Sequence, residues 1–202
     1  MTMCKNNTTA FFGGSFDPPH PGHLGVALGA LESGMCSRVL WVPAYAPPHK
    51  IGKDRMPFEK RYAMVENMIK NINGMELSDI EKRLALEPSY TISILEHLAL
   101  EISGNPALLI GADSLAQLHT WHRAHDLVAS FKILTYPRKG YSLNEQDLNS
   151  FWSEEERKKL LQGVIEGKFF EISSTIIRKR MAKNANWSDI KQLTNEIMKN
   201  GE

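Results

Sequence analysis

Thiols are scarce in this chain. Cys4 and Cys36 are the two cysteines among 202 residues, far apart and outside any CxxC pattern, which disfavours both a disulfide framework and a cysteine zinc site and fits a reducing, cytoplasmic setting. Net charge is scarce as well. Lys and Arg number 24 against 23 Asp and Glu, a formal charge of +1, so no long-range field draws the protein to nucleic acid and any anion site has to be local. No stretch approaches about eighteen uninterrupted apolar residues, and the opening MTMCKNNTT carries no apolar h-region, so neither a membrane span nor export is expected. Internal repeats and low-complexity segments are missing too, which sets repeat architectures aside. What remains, at 42% hydrophobic and 23% charged, is the composition of an ordinary soluble domain, and a single domain over residues 1–202 is the expectation.

What is present is alternation. TTAFFGG, RVLWVPA, MELSDI, ALLIGAD and FKILTYPRKG read as strands, and HLGVALGALESG, FEKRYAMVENMIKNI and SYTISILEHLALEISG read as helices between the first four. FFEIS reads as leading into a basic helix from about residue 174. The runs at 39–42, 107–110 and 131–135 are compact and apolar, as strands covered by helices on both faces are. The predicted fold is therefore α/β, a doubly wound, mostly parallel sheet. In such sheets ligands bind beyond the carboxyl ends of the strands, and there the sequence puts the glycine pair, PAYAPPHK, GAD and ISST. The proline-rich, basic stretch 43–57 reads as an ordered loop near a ligand and not as a linker.

Gly13 and Gly14 let the backbone turn tightly after the first strand and come close to a ligand. Their spacing is neither GxxxxGK[ST] nor GxGxxG, which excludes a Walker cradle and a dinucleotide fingerprint. HPGH follows. With a helix starting near Pro21, His20 and His23 stand one turn apart at its N-terminus, where free amides favour phosphate and imidazoles donate hydrogen bonds to its oxygens. The same spacing suits a capping turn with two exposed histidines, while a zinc reading lacks a matching third ligand. His49 and Lys50, in PPHK, would hold positive charge over a polyphosphate or else form a solvated basic loop. Ser173, Ser174 and Thr175 stand at the start of a predicted helix with Arg178 one turn inward, an arrangement that caps a helix or binds an anion. Asp17, before Pro18, reads as fixing a turn.

GGSFDPPHPGHL with ISSTIIR far downstream resembles the signature pair of the nucleotidyltransferase superfamily, whose members transfer a nucleoside monophosphate from a nucleoside triphosphate. With PPHK, EPSYT at 87–91, IGADSL at 110–115 and Trp121, the chain is similar to the bacterial nicotinate mononucleotide adenylyltransferases over nearly its whole length and in their motif order. The resemblance implies a Rossmann-like nucleotidyltransferase domain with the helical part from about 174 packed on it. It implies that ATP and nicotinate mononucleotide are joined to give deamido-NAD and pyrophosphate, with Mg2+ bridging the ATP phosphates on few protein ligands. By the same resemblance His20 and His23 are the catalytic pair, contacting the ATP phosphates without acting as a base. Gly13, Gly14, Ser15, Gly111, Asp113, Ser174, Thr175 and Arg178 are implied to bind ATP, with the Asp113 carboxylate reaching ribose hydroxyls. His49 and Lys50 form the implied phosphate loop. Trp121 is implied to stack on the pyridine ring, with Tyr90 and Thr91 meeting the nicotinate carboxylate. Nucleic acid and membranes are not implied partners, and homo-oligomerisation is left open.

Two stretches depart from the family pattern or go beyond it. Ser93-Ile94 stands where the family often continues with Asp-Thr, and HTWHRAH puts His119, His122 and His125 at helical spacing, as surface histidines or a metal set. Three rivals also fit parts of the chain, one of them an enzyme that accepts nicotinamide mononucleotide as well as, or instead of, the acid form. Pantetheine phosphate adenylyltransferase shares the HxGH and ISS themes but not PPHK, SYT or Trp121. A regulatory nucleotide-binding module would need only glycines and helix amides, so both histidines argue against it.

Overall fold

The chain begins its sheet in the middle. In the computed structural model, which describes residues 7–45, 56–138, 140, 141, 143, 144, 148 and 150–166, β1 (Thr8–Gly14) is the central strand. β2 (Arg38–Pro43) and β3 (Met75–Leu77) are laid outward on one side of it, and β4 (Asn105–Gly111) and β5 (Lys132–Tyr136) on the other. All four pairings are parallel and the order is β3-β2-β1-β4-β5. The winding reverses between β1 and β4, and such a reversal opens a crevice at the carboxyl ends of the strands. The doubly wound α/β expectation holds.

Helices cover both faces, as the apolar strands require. Consecutive residues of each strand point to opposite sides. Phe11, Leu40, Leu108 and Ile133 thus enter one core, and Phe12, Trp41, Leu109 and Leu134 the other. The second core is closed by Leu24, Ala27 and Ala30 of α1 (Pro21–Glu32) and by Val65 and Ile69 of α2 (Phe58–Ile69). The first is closed by Ile80 of α3 (Ile80–Leu84), by Ile92, Leu95 and Leu98 of α4 (Thr91–Glu101), and by Leu115 of α5 (Ala112–Gln117). Leu127 and Val128 of α6 (Ala124–Ser130) and Leu160 of α7 (Glu154–Gln162) complete it. Each such valine, leucine, isoleucine or phenylalanine contributes about 1.5–3 kcal/mol when fully buried. Among the described residues no helix is long and apolar enough to cross a membrane.

One close approach fixes α1 against the far strand. A Cβ at Gly29 would stand 2.3 Å from the ring of Tyr136, so the lack of a side chain there lets the helix bearing His23 lie on the last residue of β5.

MELSDI was expected to be a strand throughout, and it is one only over Met75–Leu77. The Ser78 N–H still donates to the Trp41 carbonyl at 2.9 Å, but its hydroxyl accepts the Ile80 N–H at 3.2 Å. That local bond turns the chain into α3. FFEIS and the basic helix expected from about 174 lie outside the described residues. Just before them, Thr135 donates its N–H to the Gly163 carbonyl and accepts the Ile165 N–H, each at 2.9 Å. Residues 163–165 thereby run beside β5.

Candidate active site

His20 and Pro21 open α1, the first helix after the central strand. His20 is the N-cap, in extended conformation, with Pro21 at the first helical position, where its missing N–H costs nothing. The His20 backbone N–H donates to Nδ1 of His23 at 3.2 Å, and the His23 N–H donates to the His20 carbonyl at 2.9 Å. His23 thus does the work that Glu does in a capping box. The two imidazoles stack, with centroids 3.6 Å apart and planes 25° from parallel. Phe16 meets the His23 ring edge-on at 5.0 Å, and Phe12 does so at 6.2 Å.

This geometry sets the chemistry of the pair. Because Nδ1 of His23 accepts a hydrogen bond, its proton resides on Nε2, which remains a donor. Burial, then the neighbouring His20, then the more distant Arg138 guanidinium hold the His23 pKa well below the usual histidine value. His23 is therefore neutral near pH 7, a hydrogen-bond donor and not a point charge. The sequence leaves open a capping turn with two exposed rings or a phosphate site. His23 does cap, but His20 is only 5% exposed.

A charged pair stands beyond the ends of β4 and β5. Gly111 is the N-cap of α5 and Asp113 lies in its first turn. The Asp113 carboxylate accepts a hydrogen bond from Nη1 of Arg138, in an ion pair. Arg138, two residues beyond β5, also acts electrostatically on His23. The Arg138–Asp113 pair thus joins the segments that follow β4 and β5.

A cavity of about 830 Å3 opens at the reversal between β1 and β4. Gly13, Gly14 and Ser15 line it on the β1 side, and Tyr90, Thr91 and Trp121 on the α4 side. Tyr90 is the N-cap of α4 and stacks on His122, with centroids 3.9 Å apart and planes 20° apart. Gly13 has a packing reason beyond ligand approach, since a Cβ there would come within 2.7 Å of the Phe11 ring. His20, His23, Gly111 and Asp113 do not line this cavity; they follow its lining strands in the chain. His49, Lys50, Ser174, Thr175 and Arg178 lie outside the described residues.

The histidine trio divides. His122 faces the cavity, whereas His125 stacks on Phe151 at 4.1 Å and pairs with Glu156 at 2.7 Å. Among the described residues no group of three or more His, Cys, Asp or Glu side chains is placed to hold a metal ion. Ile94, one of the two departures after SYT, is buried in the first core.

A family model described as cytidylyltransferase-like matches residues 11–180. The chain belongs to that family. It is 32% identical over 185 residues to the probable nicotinate-nucleotide adenylyltransferase of Clostridium acetobutylicum, covering 90% of each chain. To the protein of the same description from Thermotoga maritima it is 35% identical over 137 residues, which span 68% of this chain and 65% of that protein, just under two thirds of its length. The fold is also that of the Plasmodium falciparum nicotinic acid mononucleotide adenylyltransferase complexed with NaAD. That match has a TM-score of 0.64 at 19% identity and covers 96% of this chain and 95% of the other.

Within this cytidylyltransferase-like chain, sequence reasoning passes over three residues that hold the site together. Arg61, 1% exposed, donates to the carbonyls of Ser15 at 2.7 Å, Ala44 at 2.8 Å and Met56 at 3.0 Å. It joins the loops after β1 and β2 to Met56, two residues before α2. Glu81 on α3 lines the cavity and accepts the Tyr45 N–H at 3.0 Å. Arg138 pairs with Asp113. A basic residue inside an amphipathic helix gives no local sign of burial. The one available hint at Arg61 is its place on the apolar side of FEKRYAMVENMI, in step with Phe58, Val65 and Ile69.

Proposed function

We propose that this protein is a nicotinate-nucleotide adenylyltransferase that joins ATP and nicotinate mononucleotide into deamido-NAD and pyrophosphate, a step of NAD biosynthesis. The relatives named above carry that description. The observation that carries the reading is the stacked His20–His23 pair at the N-terminus of α1, which follows Gly13, Gly14 and Ser15 in the wall of a cavity that Tyr90 and Trp121 also line.

In this reaction a phosphate oxygen of the mononucleotide forms a bond to the α-phosphorus of ATP, and the bond from that phosphorus to the bridging oxygen of pyrophosphate breaks. The attacking phosphate is already ionised near neutral pH, so no base is required. What the site must supply is position and donors for the charge that develops. His23 meets that need as a neutral donor through Nε2, with His20 stacked against it. Asp113 serves the ribose hydroxyls, oriented by Arg138. Gly13, Gly14 and Ser15 lie under the nucleotide, with Gly111 at the neighbouring strand end. Trp121 stacks on the pyridine ring, and Tyr90 and Thr91 at the start of α4 receive its carboxylate. Outside the described residues, the sequence assigns His49 and Lys50 to the polyphosphate loop and Ser174, Thr175 and Arg178 to the β and γ phosphates.

Magnesium enters with ATP as part of the substrate. Phosphate oxygens would supply most of its ligands, as Mg2+ bound with a nucleoside triphosphate commonly requires. The chain acts in the cytoplasm as a single nucleotidyltransferase domain. Parallel turnover of the acid and amide mononucleotides tests the pocket assignment. The acid form is preferred if backbone donors at Tyr90 and Thr91 read the carboxylate, and equal use of the two forms contradicts that assignment.

A further inference from the structure

The chemistry above leaves one buried carboxylate without a task. Glu81 is 9% exposed and sits in the cavity wall. Among the described lining residues it is the sole acid, and His122 the sole base. Its Oε2 accepts the Tyr45 N–H at 3.0 Å. The charge of Arg61 reaches it, but that guanidinium also serves three backbone carbonyls. Burial outweighs the help from Tyr45, Ser89 and Arg61, and the Glu81 carboxyl is pushed above its ordinary range. An anion kept in an aromatic-walled cavity with incomplete compensation is costly to fold. A cationic ligand stabilises it.

The mononucleotide assigned to this cavity brings such a cation. Its pyridine nitrogen is bonded to the ribose, so the ring carries a formal positive charge whichever acyl group it bears. We propose that Glu81 is the counter-charge for the pyridinium ring, recognising its oxidised state in a cavity that Tyr90, Trp121 and His122 wall with aromatic faces. This inference rests on the nicotinate reading and extends it by naming the residue that senses ring charge, separately from the carboxylate read by α4.

Glu81→Gln keeps the volume of the side chain and an oxygen for the Tyr45 N–H while removing the charge. Calorimetry on wild type and variant would compare nicotinate mononucleotide with its uncharged 1,4-dihydro form, with KM for ATP as the control for an intact fold. The expected result is a loss of roughly tenfold in affinity for the charged ring in the variant, with the dihydro form and ATP unaffected. Equal losses for both ring forms, or a raised KM for ATP, would make Glu81 a structural strut and overturn the proposal. So would unchanged affinity for the charged ring. Wild-type protein that fails to turn over nicotinate mononucleotide would instead strike the functional reading on which the proposal stands.

Discussion

The His20 backbone N–H donates to Nδ1 of His23 at 3.2 Å while their rings stack at 3.6 Å. One hydrogen bond therefore caps the helix, fixes the tautomer and leaves Nε2 protonated. If these donors act on the transition state, His20→Ala and His23→Ala each lower kcat by roughly two orders of magnitude or more, with a smaller change in KM for ATP. Steady-state kinetics on folded variants checks this, and near-normal kcat in both would leave the pair with capping alone.

Protonation of His23 gives a pH signature. Its folded-state pKa lies well below the usual 6.5, so between those two values the unfolded chain binds a proton that the folded chain refuses. The contribution of His23 to stability is full above pH 6.5 and is lost as pH falls toward the folded value. Urea unfolding at pH 7.5 and 5.5 should find this loss reduced in His23→Gln relative to wild type. An equal pH dependence in the two proteins would mean that His23 titrates normally.

Arg61 ties Ser15, Ala44 and Met56 together through their carbonyls. Arg61→Met keeps the aliphatic stem but strands those acceptors, and a loss of about 3 kcal/mol or more is expected. KM for both substrates rises with it, since Ser15 and Ala44 both line the cavity. Arg61→Lys restores little, because an ammonium cannot reproduce the guanidinium fork. Denaturation midpoints and paired KM values test this, and full rescue by lysine would contradict it.

Gly29 lies under the Tyr136 ring, where a Cβ would come to 2.3 Å. Gly29→Ala should cost about 1–3 kcal/mol through overpacking. With Tyr136→Ala the two costs should fall well short of additivity, because the clash has been removed. A double-mutant cycle additive to within about 0.5 kcal/mol would show that α1 does not press on that ring.

Trp121 belongs to the mononucleotide side of the cavity. Trp121→Ala raises KM for the mononucleotide about tenfold, the scale of base–aromatic stacking, and leaves KM for ATP near wild type. A matching rise for ATP would assign the ring to the other substrate.

The strands were legible because β-branched and aromatic runs such as RVLWV and ALLIG end at glycine or proline, and α1, α2 and α4 because their apolar positions recur over at least eleven residues. α3, α5 and α6, of five to seven residues, are too short to establish a period. α7 announces itself only through Ser153 and Glu156, whose reciprocal capping bonds of 3.2 and 2.8 Å follow the S-x-x-E spacing. In the site, Gly13, Gly14, Ser15, Tyr90, Thr91 and Trp121 were found by motif and do share one cavity. Arg61, Glu81 and Arg138 were not. Each is a single charged residue with a partner 17 or more positions away, namely Ala44 for Arg61, Tyr45 for Glu81 and Asp113 for Arg138. No local pattern encodes such a pairing.

The most direct measurement is product analysis of the purified protein with MgATP and either nicotinate mononucleotide or phosphopantetheine. The account predicts deamido-NAD and pyrophosphate in equal amounts from the mononucleotide, and no adenylyl transfer to phosphopantetheine. Transfer to phosphopantetheine without any to the mononucleotide would contradict it.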